Sequence, residues 1–131
     1  MSRKTIVINA SMFSDLEGFY TEIDRLLTKN LSWKTGHNFN ALNDLLRGGF
    51  GVYEYEEPVI IIWKNTIKSK EELGYKATIK HYENILFNCH PANRDSIKQF
   101  LESAKQHQGD TLFDIIVEII KKHDHIEFKM E

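Results

Sequence analysis

The stretch Gly36-His37-Asn38-Phe39-Asn40-Ala41-Leu42-Asn43-Asp44-Leu45-Leu46-Arg47-Gly48-Gly49 decides how this chain is read. It describes a tight loop running into a short helix, from about residue 38 to residue 47, that stops on glycine. Phe39, Leu42, Leu45 and Leu46 recur at helical spacing and face a core. Asn40, Asn43, Asp44 and Arg47 recur at i, i+3, i+4 and i+7 and line the opposite, solvated face. A helix this short does not hold together alone in water, so its inner face must dock on something larger. The product is a rigid polar ledge offered to an outside partner.

Outward from that ledge, Thr5-Ile6-Val7-Ile8-Asn9 reads as a strand. Ser14-Asp15-Leu16-Glu17 has the form of a capping box, and Leu16, Phe19, Tyr20, Ile23, Leu26 and Leu27 mark the helix face that follows. Residues 30–35 are polar and loop-like. Pro58-Val59-Ile60-Ile61-Ile62-Trp63 contains a strand apolar at every position, which fits cover on both faces. A short helix over residues 67–73 ends at Gly74. Residues 77–89 read as a helix through Ile79, Tyr82, Ile85, Leu86 and Cys89, although Leu86-Phe87 also suits extended backbone. Pro91 breaks it, and Asn93 can cap a helix whose Ile97, Phe100, Leu101 and Ala104 face inward. After Gly109, Asp110 or Thr111 starts a last helix with a stripe of Leu112, Ile115, Ile116, Ile119 and Ile120. Ile126, Phe128 and Met130 then alternate with Glu127, Lys129 and Glu131, a strand with one wet face. Strands separated by helices imply crossovers and a parallel sheet. The expected fold is α/β, one compact layer with a three-stranded parallel sheet and about six helices, forming a single domain over residues 1–131.

Composition excludes several classes. Apolar residues at 41% and charged residues at 27% are ordinary for a soluble protein. The single cysteine, Cys89, makes no internal disulfide, which favours a reducing compartment. No apolar run is long enough to span a bilayer, and no secretory leader is evident, so a cytoplasmic protein is expected. Net charge is only −2, but its distribution is uneven. Residues 36–63 set Asp44, Glu54, Glu56 and Glu57 against Arg47 alone, and residues 109–131 hold twice as many carboxylates as lysines. That polarisation favours a basic partner over nucleic acid, and no membrane partner is expected.

The loop-helix pattern of glycine, asparagine, Ala-Leu, an acidic residue and a final Leu-x-Gly resembles the binding loop and second helix of the barstar family, intracellular inhibitors of ribonucleases. Thr5-Ile6-Val7-Ile8-Asn9, Pro58-Val59-Ile60-Ile61-Ile62-Trp63 and Leu112-Phe113-Asp114-Ile115-Ile116-Val117-Glu118 occur in the family's order. The resemblance covers roughly residues 4–75 and 110–129; residues 76–109 look like an insertion. It implies a barstar-like inhibitor or immunity protein, a monomer when free, that covers the active site of a basic ribonuclease toxin. Asp44 matches the acidic residue that stands in for substrate phosphate, and Glu118 matches a second acidic contact. Gly36, His37, Asn38, Asn40, Asn43, Arg47 and the loop residue Lys34 complete the expected partner-binding set. Asn40 replaces a family carboxylate, Asn43 a tryptophan and Lys34 a tyrosine, so barnase-like enzymes are expected to bind weakly and the cognate nuclease to differ.

Each of these residues has a plain alternative. Asp44 and Glu118 also suit ordinary solvated helix carboxylates, and His37 a plain loop residue. His81, His90, His107, His123 and His125 suggest metal, yet Cys89-His90 lacks the second spaced ligand pair, so no metal and no cofactor is expected. Gly48-Gly49-Phe50-Gly51 lacks the ending of a phosphate loop. Tyr53 and Tyr55 suit packing, with a substitute aromatic contact as the alternative. The alternative function is a barstar-fold adaptor for a non-nuclease partner, using the 76–109 segment. A hydrolase pairing His37 with Asp44 has no nucleophile or oxyanion loop beside it, so no enzyme is expected.

Overall fold

The computed structural model describes residues 3–28 and 36–131. The expected loop at 30–35, and Lys34 within it, lies outside the described residues. Among the described residues, β1 (Lys4–Asn9), β2 (Val59–Lys64) and β3 (Ile126–Met130) form one sheet in that order. Both pairings are parallel, with Ile6 beside Ile61 and Ile61 beside Phe128. Helices α1 (Leu16–Leu27) and α2 (Phe39–Arg47) connect β1 to β2. Helices α3 (Thr66–Glu72), α4 (Tyr75–Asn88), α5 (Arg94–Lys105) and α6 (Leu112–Lys121) connect β2 to β3. The α/β class, the parallel sheet and the helix count agree with the expectation from sequence.

Alternation along the strands sends Ile6, Ile8, Val59, Ile61, Trp63 and Ile126 into one buried core. Trp63 is its centre. It stacks on Phe19 at 5.3 Å and meets Phe113 at 5.0 Å, while its indole N–H donates to the buried Ser69 hydroxyl at 2.9 Å. That hydrogen bond lets a polar ring end sit in an apolar interior without an unmet donor. The other sheet face is not covered as expected. Ile60 and Ile62 are only half-buried there, flanked by exposed Thr5, Glu127 and Lys129 on the neighbouring strands. The continuous apolar run in β2 reflects its central position, where backbone and long side-chain stems on both sides limit exposure.

The starts of α1 and α5 differ from the local pattern, whereas that of α6 falls on one of its two expected residues. Asp15, not Ser14, caps α1 by accepting from the Gly18 amide at 2.7 Å, which frees Glu17 for a distant partner. At α6 the start is Thr111, in a reciprocal box with Asp114. Asn93 occupies the cap position of α5 but makes no side-chain cap bond. The expected inner face of α4 is half-buried; only Thr78 of that helix is fully buried, and its hydroxyl accepts from the Leu112 amide at 2.9 Å. Phe100, expected inside, is exposed and stacks on Tyr82 at 5.7 Å. α4 and α5 pack mainly on each other as a helical hairpin, so their apolar residues partner across that hairpin in place of the sheet.

Candidate partner-binding site

The ledge forms as its spacing predicts. The Asn38 side chain caps α2, accepting from the Ala41 amide at 2.8 Å. Leu42, Leu45 and Leu46 are buried, Phe39 partly so, and Asn40, Asp44 and Arg47 are exposed. Gly48 ends the helix at φ +93°, and a Cβ there would collide with the Glu54 carbonyl and the Tyr53 ring. Glycine is therefore required both by conformation and by space.

The end of α2 is braced from outside. The last carbonyls of a helix have no partner within it. Here Leu45 O accepts from the Gly48 amide and Arg47 O from the Glu56 amide. Leu46 O accepts twice, from the Tyr53 hydroxyl at 2.7 Å and from His125 Nε2 at 3.0 Å. Burial pushes the Tyr53 phenol well above its ordinary range. Tyr53 is thus a packing residue, whereas Tyr55 is exposed. His123 Nε2 donates to Asn43 Oδ1 at 2.9 Å and meets His125 edge to face at 5.5 Å. Burial, aided by His125 and Arg47, lowers the His123 pKa and keeps that ring neutral.

These contacts leave a groove of about 700 Å³ between α2, the end of α6 and the turn before β3. Asn40, Asn43 and Arg47 line it from α2, facing Lys122, Asp124 and Glu56. Two cations and two carboxylates make the groove charge-balanced, although both contributing segments carry net negative charge. Arg47, Lys122, Glu56 and Asp124 form no ion pair among the described residues. Asp44 lies on the exposed face outside the groove lining and likewise has no ion pair among the described residues.

The remaining candidates are separated. Glu118 is exposed on α6 but lines a different groove, with Lys70, Lys121 and Met130. Gly36 and Asn38 are exposed at the start of α2. His37 is turned inward: Nδ1 lies 2.7 Å from Glu17 Oε2 and Nε2 3.0 Å from Asp24 Oδ2. Both ring nitrogens are engaged by α1, so His37 and Asp44 do not form a catalytic pair. Sequence reading passed over His123 and His125 as supports for α2, because their partners are 80 and 79 positions away. The only local hint was three polar residues, His-Asp-His, placed where α6 must turn into β3. Among the described residues, no cluster of three or more His, Cys, Asp or Glu side chains is placed to hold a metal ion, and no helix is long and apolar enough to cross a membrane.

No curated protein matches the chain. A family model described as barstar, the barnase inhibitor, matches residues 3–120, which runs from β1 through the α2 ledge into α6. With the three-stranded parallel sheet, the capped α2 and its glycine stop in place, the chain belongs to the barstar family, a family of ribonuclease inhibitors rather than of enzymes.

Proposed function

We propose that this protein is a cytoplasmic inhibitor, or immunity protein, that blocks a ribonuclease toxin by placing Asp44 in its active site. The observation that carries this reading is an exposed carboxylate on a helix whose opposite face is buried. An anion with no ion pair among the described residues suits a site built for substrate phosphate, where Arg, Lys or His side chains of the nuclease would supply its partners. Docking of α2 through Leu42, Leu45 and Leu46 limits the ordering cost of binding. Asn40, Asn43 and Arg47 extend the contact into the groove, so the partner pairs with a mixed-charge surface beside Asp44. Glu118 joins only with a nuclease broad enough to reach across α6. The substitutions at Asn40 and Asn43 support a cognate nuclease different from barnase.

Co-purification from the native host after mild lysis tests the reading. The wild-type chain should retain a ribonuclease and suppress its RNA cleavage, and Asp44→Lys should lose both. Retention of the same nuclease by Asp44→Lys would remove the active-site role. One observation favours a second reading: on the α4–α5 hairpin Phe87 is 86% and Phe100 54% exposed. An adaptor docking through that hairpin would keep its partner in Asp44→Lys and lose it in Phe87→Ser.

A further inference from the structure

His37 immediately precedes the cap residue of α2, and its ring is held from three sides by α1. Glu17, Tyr20 and Asp24 lie at i, i+3 and i+7 of that helix and share one face. Tyr20 stacks on the imidazole at 5.4 Å with an interplanar angle of 28°. Glu17 takes one ring nitrogen at 2.7 Å and Asp24 the other at 3.0 Å. An ionised carboxylate only accepts, and a neutral imidazole has a single N–H to give. A neutral ring would therefore press a lone pair against a carboxylate oxygen on one side or the other. Only the imidazolium satisfies both contacts at once.

We infer that His37 is a positioning residue, a proton-dependent clasp that holds the start of the α2 ledge on α1 when charged and releases it when neutral. This deepens the inhibitor reading, on which the consequence for partner affinity rests, whereas the clasp itself does not depend on it. Among the described residues, the groups facing the ring are Glu17, Asp24 and Tyr20 of α1. From α4, Lys80 and His81 line the cavity that Glu17 shares, and His81 also meets Phe39 at 5.8 Å. Burial lowers the His81 pKa and drives the Tyr20 phenol upward. The Glu17 hydrogen bond is the main influence raising the His37 pKa, outweighing desolvation, with Asp24 adding to it. A raised folded-state value fixes the sign: the clasp contributes fully below the unfolded value of about 6.5 and is lost as pH rises through the folded value.

Amide hydrogen exchange on the full chain, expressed as protection relative to intrinsic rates, reads the clasp directly. The Ala41 and Leu42 amides both bond to Asn38 and report the start of α2. Their protection should fall about tenfold between pH 5.5 and pH 8.5, roughly the worth of one hydrogen bond to a charged group. In Glu17→Gln/Asp24→Asn a neutral ring can donate to one amide and accept from the other, so the dependence should reverse. His37→Gln should show none. A wild-type profile flat in pH, or one shared by His37→Gln, overturns the clasp. Calorimetry with barnase as probe should give tighter binding at pH 5.5 than at pH 8.5 for the wild type, beyond any change seen with His37→Gln. Barnase affinity equal at the two pH values would overturn the link between the clasp and partner binding. Absence of barnase binding at both would agree with the different cognate nuclease proposed above, and the exchange profile alone decides the clasp.

Discussion

The double support of the Leu46 carbonyl sets up a test of how the ledge is held. Leu46 is fully buried, so its carbonyl has no access to water in the folded chain, and its acceptor capacity is met by the Tyr53 hydroxyl and His125 Nε2. Tyr53→Phe removes one donor with little change in shape, and His125→Phe removes the other while keeping a ring against Tyr53 and His123. Each single change leaves one donor in place and should cost about 1 kcal/mol or less, the net worth of an ordinary hydrogen bond. The double variant strands a buried backbone carbonyl, which cannot be deleted, and that adds a desolvation penalty of about 1–3 kcal/mol. The double-mutant cycle should therefore show destabilisation exceeding the sum of the singles by about 1 kcal/mol or more. Urea unfolding at fixed pH, with unchanged m-values, measures all four corners. Additivity to within about 0.3 kcal/mol would falsify the shared-acceptor reasoning and mean that water or backbone relaxation replaces the lost donors.

Asp44→Ala should change stability by no more than about 0.5 kcal/mol, as for other exposed sites. The same variant should weaken nuclease binding by about 2–5 kcal/mol, a range that draws on interfaces including the barnase–barstar pair itself and is not worked from this chain; a large loss in urea would make Asp44 structural. Asn38→Ala removes the α2 cap and should cost about 1 kcal/mol in urea unfolding, with Asn38→Asp restoring most of it. Asn40→Asp should tighten calorimetric binding to barnase by adding an anion to the groove rim, and the gain should shrink as salt rises. His123 is held neutral by burial, so its folded-state pKa lies below the unfolded one; its contribution is present above pH 6.5 and lost as pH falls towards the folded value. His123→Gln should accordingly lose less stability than wild type between pH 7.5 and pH 5.5, compared by urea midpoints.

Periodicity made the ledge legible. Leu42, Leu45 and Leu46 went inward, and Asn40, Asp44 and Arg47 outward, because neighbours three and four apart on a helix share a face whatever surrounds it. The glycine stop at Gly48 and the strand at β2 were equally local, as was the choice between helix and loop over most of the chain. Local rules failed where a side chain had a better offer from far away. Asp15 took the cap of α1, which left Glu17 free of the expected capping box and within 2.7 Å of His37 on another segment.

The sequence alone thus determined the α/β class, the α2 ledge and its family, since these follow from spacing within single segments and from their order. Only the tertiary structure decided that one sheet face stays half-open, that His37 points inward to two carboxylates, and that His123 and His125 brace α2. It also put Glu118 in a groove apart from Asn40 and Asn43. Those outcomes depend on which distant charges and hydrogen-bonding groups meet in space, a pairing that residue spacing along the chain does not encode.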